Sequence, residues 1–267
     1  MNKVMAFLKK ALLVESSYQV PLVLNVASIF LGLLSYFFID KLFGSKVAPN
    51  LEQFGVNYFS YALVSTGLFG YLGVGIDSFP QKIWDEQAEG TLEAVLATPT
   101  RTWTMLAGLS IWNFIIATLD VIIYVLLGIF VFRVNLAAAN ILSTLLVLFL
   151  GIISFTALGI ISASFVVIFK SGNPVTWIVG SLEGIVGGMF FPISVLPPWL
   201  QVVSAFFPVT YAVRAMELAV YRGYSISQLR IELAMLLIFS AALLPLSIKI
   251  FEKAVDYAKR RGTLVSY

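Results

Sequence analysis

Apolar residues run through this chain in long blocks, separated by short intervals rich in charge, proline or glycine. The blocks at 21–39, 54–77, 105–131, 141–169, 175–192 and 232–251 each approach the roughly 20 residues that cross a bilayer as helix. The pattern predicts six transmembrane helices and no soluble domain, with residues 1–267 forming one membrane unit. Ahead of the first span, residues 1–19 set Val4, Phe7, Leu8, Ala11 and Leu12 against Lys3, Lys9 and Lys10. That arrangement suits an uncleaved amphipathic helix lying on the membrane surface.

Two intervals have patterns of their own. In residues 78–104, Ser78 and Gln81 match a capping box, with Pro80 in the first turn of a helix expected from Phe79 to Ala88. Gly90 should break that helix. Thr91 would cap a short second one with Leu92, Val95 and Leu96 on one face, and Thr98-Pro99 would open the third span. The expected product is a helical elbow with its apolar stripe against the bundle and its acids facing outward. In residues 193–223, Pro197, Pro198 and Pro208 cut an apolar stretch into pieces too short to span. Helices at 199–207 and 210–222, the second ended by Gly223, are expected to form a re-entrant hairpin between spans five and six.

Composition narrows the chemistry. The chain is 60% hydrophobic and 12% charged, too little charge to cover a soluble surface of 267 residues. With no cysteine and no histidine, zinc, haem, iron–sulfur and thiol or histidine-based catalytic sites are not expected. A net charge of +3 gives no argument for nucleic acid. Six spans put both termini on one side, and that side carries the basic tail Lys249, Lys253, Lys259, Arg260 and Arg261, which predicts cytoplasmic termini.

The segment EGTLEAVLATP resembles a signature found between the second and third spans of ABC type-2 exporter permeases. Glu89, Gly90, Thr91, Leu92, Glu93, Thr98 and Pro99 stand where that pattern expects them. A second signature is matched by Phe191-Pro192, Leu196-Pro197 and Pro208 before a helix containing Tyr211 and Arg214. The resemblance implies an all-α membrane permease in a prokaryotic cytoplasmic membrane. It implies that the elbow is a coupling helix docking on a separate ATP-binding cassette subunit, with Glu86, Glu89, Glu93 and Arg101 as polar contacts. It also implies a pair of permeases and a pair of ATPase subunits. This chain lacks a G-x-x-x-x-G-K-[ST] loop, so ATP and magnesium would be bound by the partner and no catalytic residue is assigned here.

Candidate pathway residues follow from polarity in the wrong solvent. Asp120 and Glu183 fall mid-span, with no Lys or Arg at comparable depth. Each is either a hydrogen-bonded packing group or a pathway acid. Gly180, Gly184 and Gly188 recur every four residues beside Glu183 and would admit another backbone. Tyr58 and Tyr61 belong to an aromatic-rich start of span two, read as interface anchors or as a stacking track. The leading function is export of a hydrophobic or amphipathic compound, such as a drug or lipid. Export of a lipid-linked polysaccharide by the same fold, an ATP-independent channel or carrier, and a membrane protease stand as alternatives, the last disfavoured by the missing histidine.

Overall fold

The computed structural model describes residues 20–90, 102–169 and 174–261, and the amphipathic segment 1–19 lies outside them. The described residues form α-helices with short connecting turns: α1 (Val20–Leu51), α2 (Tyr58–Ala88), α3 (Thr102–Leu126, continued by a π turn Leu127–Val131) and α4 (Ile141–Phe169). They are followed by α5 (Pro174–Val186), α6 (Pro198–Ser204), α7 (Pro208–Tyr221) and α8 (Arg230–Arg260). Asn57 caps α2, its side-chain oxygen accepting from the Ser60 amide at 3.1 Å.

Helix α4 sits at the centre, packed on α2 along one side and α8 along another. Towards the Ala88 end of α2, Phe79 and Ile83 meet Ile160, Ala163 and Val167 of α4 and Phe251 and Ala254 of α8. The α4–α8 seam also carries a polar clasp, Ser154 and Ser240 hydroxyls 3.0 Å apart, with Ser240 donating to the Leu150 carbonyl. In an apolar medium, hydroxyls that bond across helices fix their register. Leu24, Leu31, Phe38, Ile122, Phe130, Leu142 and Phe149 remain exposed on the outside, as befits a surface solvated by lipid.

The closest approach joins α2 to α4. A Cβ on Gly159 would fall inside contact distance of the Gly75 carbonyl oxygen, and one on Gly75 would sit 3.0 Å from the Thr156 amide nitrogen. Pro80 lies one turn further on, inside an uninterrupted α2. Proline has no N–H, so the Ile76 carbonyl loses its helical donor; that oxygen faces Gly159 instead. The capping box expected at Ser78 therefore does not form. Ser78 is buried within the helix and its hydroxyl accepts from Asn113 of α3 at 3.0 Å. The helix ends where expected, at Ala88, followed by Gly90 with φ +70°.

The fifth segment departs from the expected span 175–192. Helix α5 has 13 residues, about 20 Å of rise against the roughly 30 Å of a hydrocarbon core. It stops at Gly187-Gly188, where Gly188 adopts φ +85°, a conformation costly for any residue with a side chain. Five described helices are long and apolar enough to cross a membrane, and a sixth crossing arises only if α6 and α7, bent by 92°, count as one broken span. The hairpin helices start at Pro198 and Pro208 and the second ends before Gly223, with φ +65°.

Helix α7 is no surface element. Val209, Ala212, Val213, Ala215, Met216, Glu217 and Ala219 are all buried against α2, α4 and α8. Glu217 is fully enclosed; Ser65 of α2 donates to its Oε1 at 2.7 Å, and Oε2 has no partner. Around it the Tyr61 hydroxyl donates to the Gly188 carbonyl, and the Tyr221 hydroxyl donates to the Ser60 carbonyl at 2.7 Å. Past the helix end, Arg222 donates to the carbonyls of Glu52 and Gln53, while the Asn140 amide donates to the Ala219 carbonyl at 2.9 Å. Arg214 pairs with Glu232 of α8 at 3.3 Å. The hairpin is thereby tied to every loop at the Tyr58 end of the bundle.

Two stability outcomes follow. Gly159→Ala should destabilise the folded chain by about 1–3 kcal/mol, because backbone rather than a pliant side chain blocks the new methyl. Gly32→Ala, with nothing within 4 Å, should be neutral or slightly stabilising. Thermal unfolding in detergent compares them, and equal shifts would dismiss the α2–α4 contact. In the same assay Ser65→Ala should cost about 1–3 kcal/mol by stranding the Glu217 oxygen. Glu217→Gln should cost less, since its carbonyl still accepts from Ser65.

Candidate functional site

Among the described residues, one face of α2 has no helix packed directly on it. Gly70, Gly73, Asp77 and Gln81 recur at helical spacing, and they lie on the side of α2 away from Gly75, Phe79 and Ile83. A Cβ on Gly70 or Gly73 would meet nothing within 4 Å, so this face is bare backbone bordered by polar groups. Helix α3 forms one wall and α5 the other. Between α2 and α3 lies a cleft of about 470 Å³ lined by Asp77, Gln81, Asn113 and Asp120. Between α2 and α5 lies a second, of about 480 Å³, lined by Asp77, Gln81, Thr176, Trp177, Gly180 and Ser181. Both share Phe69, Gly73, Asp77 and Gln81 and so form one groove with two arms.

Asp120 is held from the opposite side. Asn25 of α1 donates to its Oδ1 at 2.7 Å, within a cavity of about 230 Å³ shared with Ser28, Tyr71 and Tyr124. This is the hydrogen-bonded arrangement open to an intramembrane acid, and it coexists with a place on the groove wall. Asp77 is exposed to the groove and has no hydrogen-bond or ion-pair partner among the described residues. An acid at the centre of a span, as Asp120 is, costs about 2.5–3.5 kcal/mol on insertion scales.

The other expected pathway residues divide. Gly180 lines the α2–α5 arm and has open space before it. Gly184 faces the ring edges of Phe190 and Phe69, and Gly188 forms the turn under Tyr61. The anticipated glycine ladder thus receives no backbone from the described residues; the close backbone contact occurs at Gly75 and Gly159. The side chain of Glu183 lies outside the described residues. Tyr61 is in the core, its ring centroid 5.5 Å from that of Phe54, while Tyr58 packs edge-on against Tyr36; neither lines the groove.

At the Ala88 end, Glu89 and Gly90 are exposed. Glu86 is not: it is 7% exposed, on the same helical face as Phe79 and Ile83, which corrects the expectation that it points outward. The exposed face there carries Lys82 and Asp85, 3.9 Å apart. Thr91, Leu92, Glu93, Thr98, Pro99 and Arg101 lie outside the described residues. Among the described residues no three carboxylates converge to hold a metal ion.

Two functional-looking acids escaped the sequence reading. Asp77 sits at the edge of an apolar block and looked like the end of a span; its helical spacing with Gly70, Gly73 and Gln81 was the available signal. Glu217 falls in the short second helix of the expected re-entrant hairpin, and nothing local marks it as enclosed.

Comparison with known proteins bears on the whole chain. No curated protein matches it. The family described as ABC-2 type transporter matches residues 3–221, which takes in α1 to α7 and the groove. A multi-pass helical bundle with a polar groove along its second helix agrees with that match. The chain belongs to the ABC-2 type transporter family, as a membrane-spanning transporter subunit.

Proposed function

We propose that this chain is the permease half of an ATP-driven exporter for hydrophobic or amphipathic compounds. The supporting observation is the groove on α2: a family member of this kind needs a polar-floored surface across an otherwise apolar bundle, and α2 offers one. Two copies would bring two such surfaces together, each working with its own ATP-binding cassette subunit. The cytoplasmic side would be the Ala88 end of α2, where Glu89 and Gly90 are exposed and the basic end of α8 also lies. Docking of the ATPase on residues 89–101 would act on the end of α2, since that helix runs past Pro80 to Ala88 without a break. Energy then enters at one end of the helix that floors the groove.

The purified chain should hydrolyse no ATP, whereas co-expression with a cognate cassette subunit should yield a complex whose ATPase responds to transported compounds. ATP turnover by the isolated chain that survives contamination controls would end this reading. Charge reversal at both Glu89 and Glu93 should leave the thermal unfolding temperature unchanged, because Glu89 is exposed, yet weaken ATPase docking or uncouple it from transport. Exposed ion pairs contribute about 0–1 kcal/mol each, so the single variants should be mild and the double variant decisive. Pull-down of the cassette subunit and vesicle transport report the result; full activity of the double variant removes the segment from coupling.

A further inference from the structure

We infer that the groove on α2 binds an organic cation, a lipophilic molecule carrying one diffuse or quaternary positive charge. This rests on the reading of the chain as a transporter permease, but its evidence is the chemistry of the walls. Asp77 and Asp120, on different helices, line the same cleft, and no lysine or arginine among the described residues lines either arm. Lys82, the nearest base along α2, is turned to Asp85. Arg214 and Arg222 are engaged at the Tyr58 end. The groove therefore presents negative charge at membrane depth without a counter-charge among the described residues. A cation that enters it replaces the missing partner.

The remaining lining selects the kind of cation. Trp177 is 74% exposed on the rim of the α2–α5 arm, and Phe69 borders both arms. Aromatic faces attract ammonium and phosphonium groups that have shed their water. A hard metal ion is a poor fit, since it needs six or more oxygen ligands at short range and the lining offers two carboxylates across a wide cleft. Each arm, near 470–480 Å³, has the size of a small-molecule site. Gly70 and Gly73 supply that width, and Gln81, Asn113 and Ser181 offer hydrogen bonds for the polar parts of a guest.

The test uses two ions of matched size and opposite charge, tetraphenylphosphonium and tetraphenylborate. The intact chain is placed in nanodiscs of zwitterionic phosphatidylcholine, and saturable binding is measured against empty nanodiscs. The cation should bind saturably and the anion should not. Asp77→Asn should weaken cation binding at least tenfold, Asp120→Asn should weaken it as well, and the double variant should abolish it. Glu252→Gln, an exposed acid on α8 away from the groove, should change nothing. Trp177→Leu alters an exposed rim position without disturbing the core and should weaken binding several-fold, which keeps the test open if an aspartate variant misfolds. Equal binding of both ions, no saturable binding of the cation, or indifference to these substitutions overturns the inference. A basic side chain from a second copy filling the groove would appear as the second of these. Because the assay needs neither ATP nor a cassette subunit, the two readings fail separately. Cation binding without ATP-driven transport would sink the exporter proposal alone. Transport of neutral compounds without cation binding would sink this one alone.

Discussion

Helices α2 and α4 touch backbone to backbone because neither Gly75 nor Gly159 carries a side chain, and the rest of the bundle is arranged around that contact. With one face of α2 committed to α4, and Phe79 and Ile83 continuing the same face, no helix among the described residues covers the opposite face. The groove is thus the other side of a tight crossing. Van der Waals contact is the main force between helices in lipid, where burial of apolar surface gains little. A crossing without side chains gains the most of it, and it also positions Pro80 so that the orphaned Ile76 carbonyl has a backbone neighbour rather than hydrocarbon.

The hairpin obeys the same rule by another route. Helix α7 is too short to span, so its polar ends must be satisfied by the protein. The carbonyls and hydroxyls at the Tyr58 end do this: Ser60, Ser65, Gly188, Glu52 and Gln53 each meet a group from the hairpin or from α2 beneath it. Glu217 completes the set with one oxygen bonded and one bare. A hairpin fastened by so many bonds is held in one place, since breaking one of the buried ones strands a polar group away from water.

Much of this architecture is legible in the amino-acid pattern. Apolar block lengths give α1 to α4 and α8, prolines give the starts of α6 and α7, and Gly90 and Gly223 give two helix ends. What escapes depends on partners distant in the chain. Ser78-Phe-Pro-Gln81 has the letters of a helix start, and only Asn113 and Gly159, from two other helices, make it a helix interior. Gly180, Gly184 and Gly188 have the spacing of a crossing, whereas Gly75 and Gly159, each eight residues after another glycine, have no glycine four residues away. Asp77 lay at the boundary of an apolar block, where a carboxylate is unremarked, and its significance depends on α3 and α5 leaving space on either side. Block length likewise overstates α5, because two glycines and Pro192 end a helix inside a stretch that remains apolar.

Helix α8 adds a constraint of timing. It follows α7 in the chain, yet it supplies one of the walls against which α7 rests, through Leu233, Leu236 and the Arg214–Glu232 pair. During synthesis the ribosome releases the hairpin before that wall exists. The burial of α7 is therefore completed late in synthesis, and a chain halted near residue 229 leaves α7 open along the flank that α8 covers. Such an unfinished product leaves Arg214 without Glu232 and the apolar flank of α7 without Leu233 and Leu236.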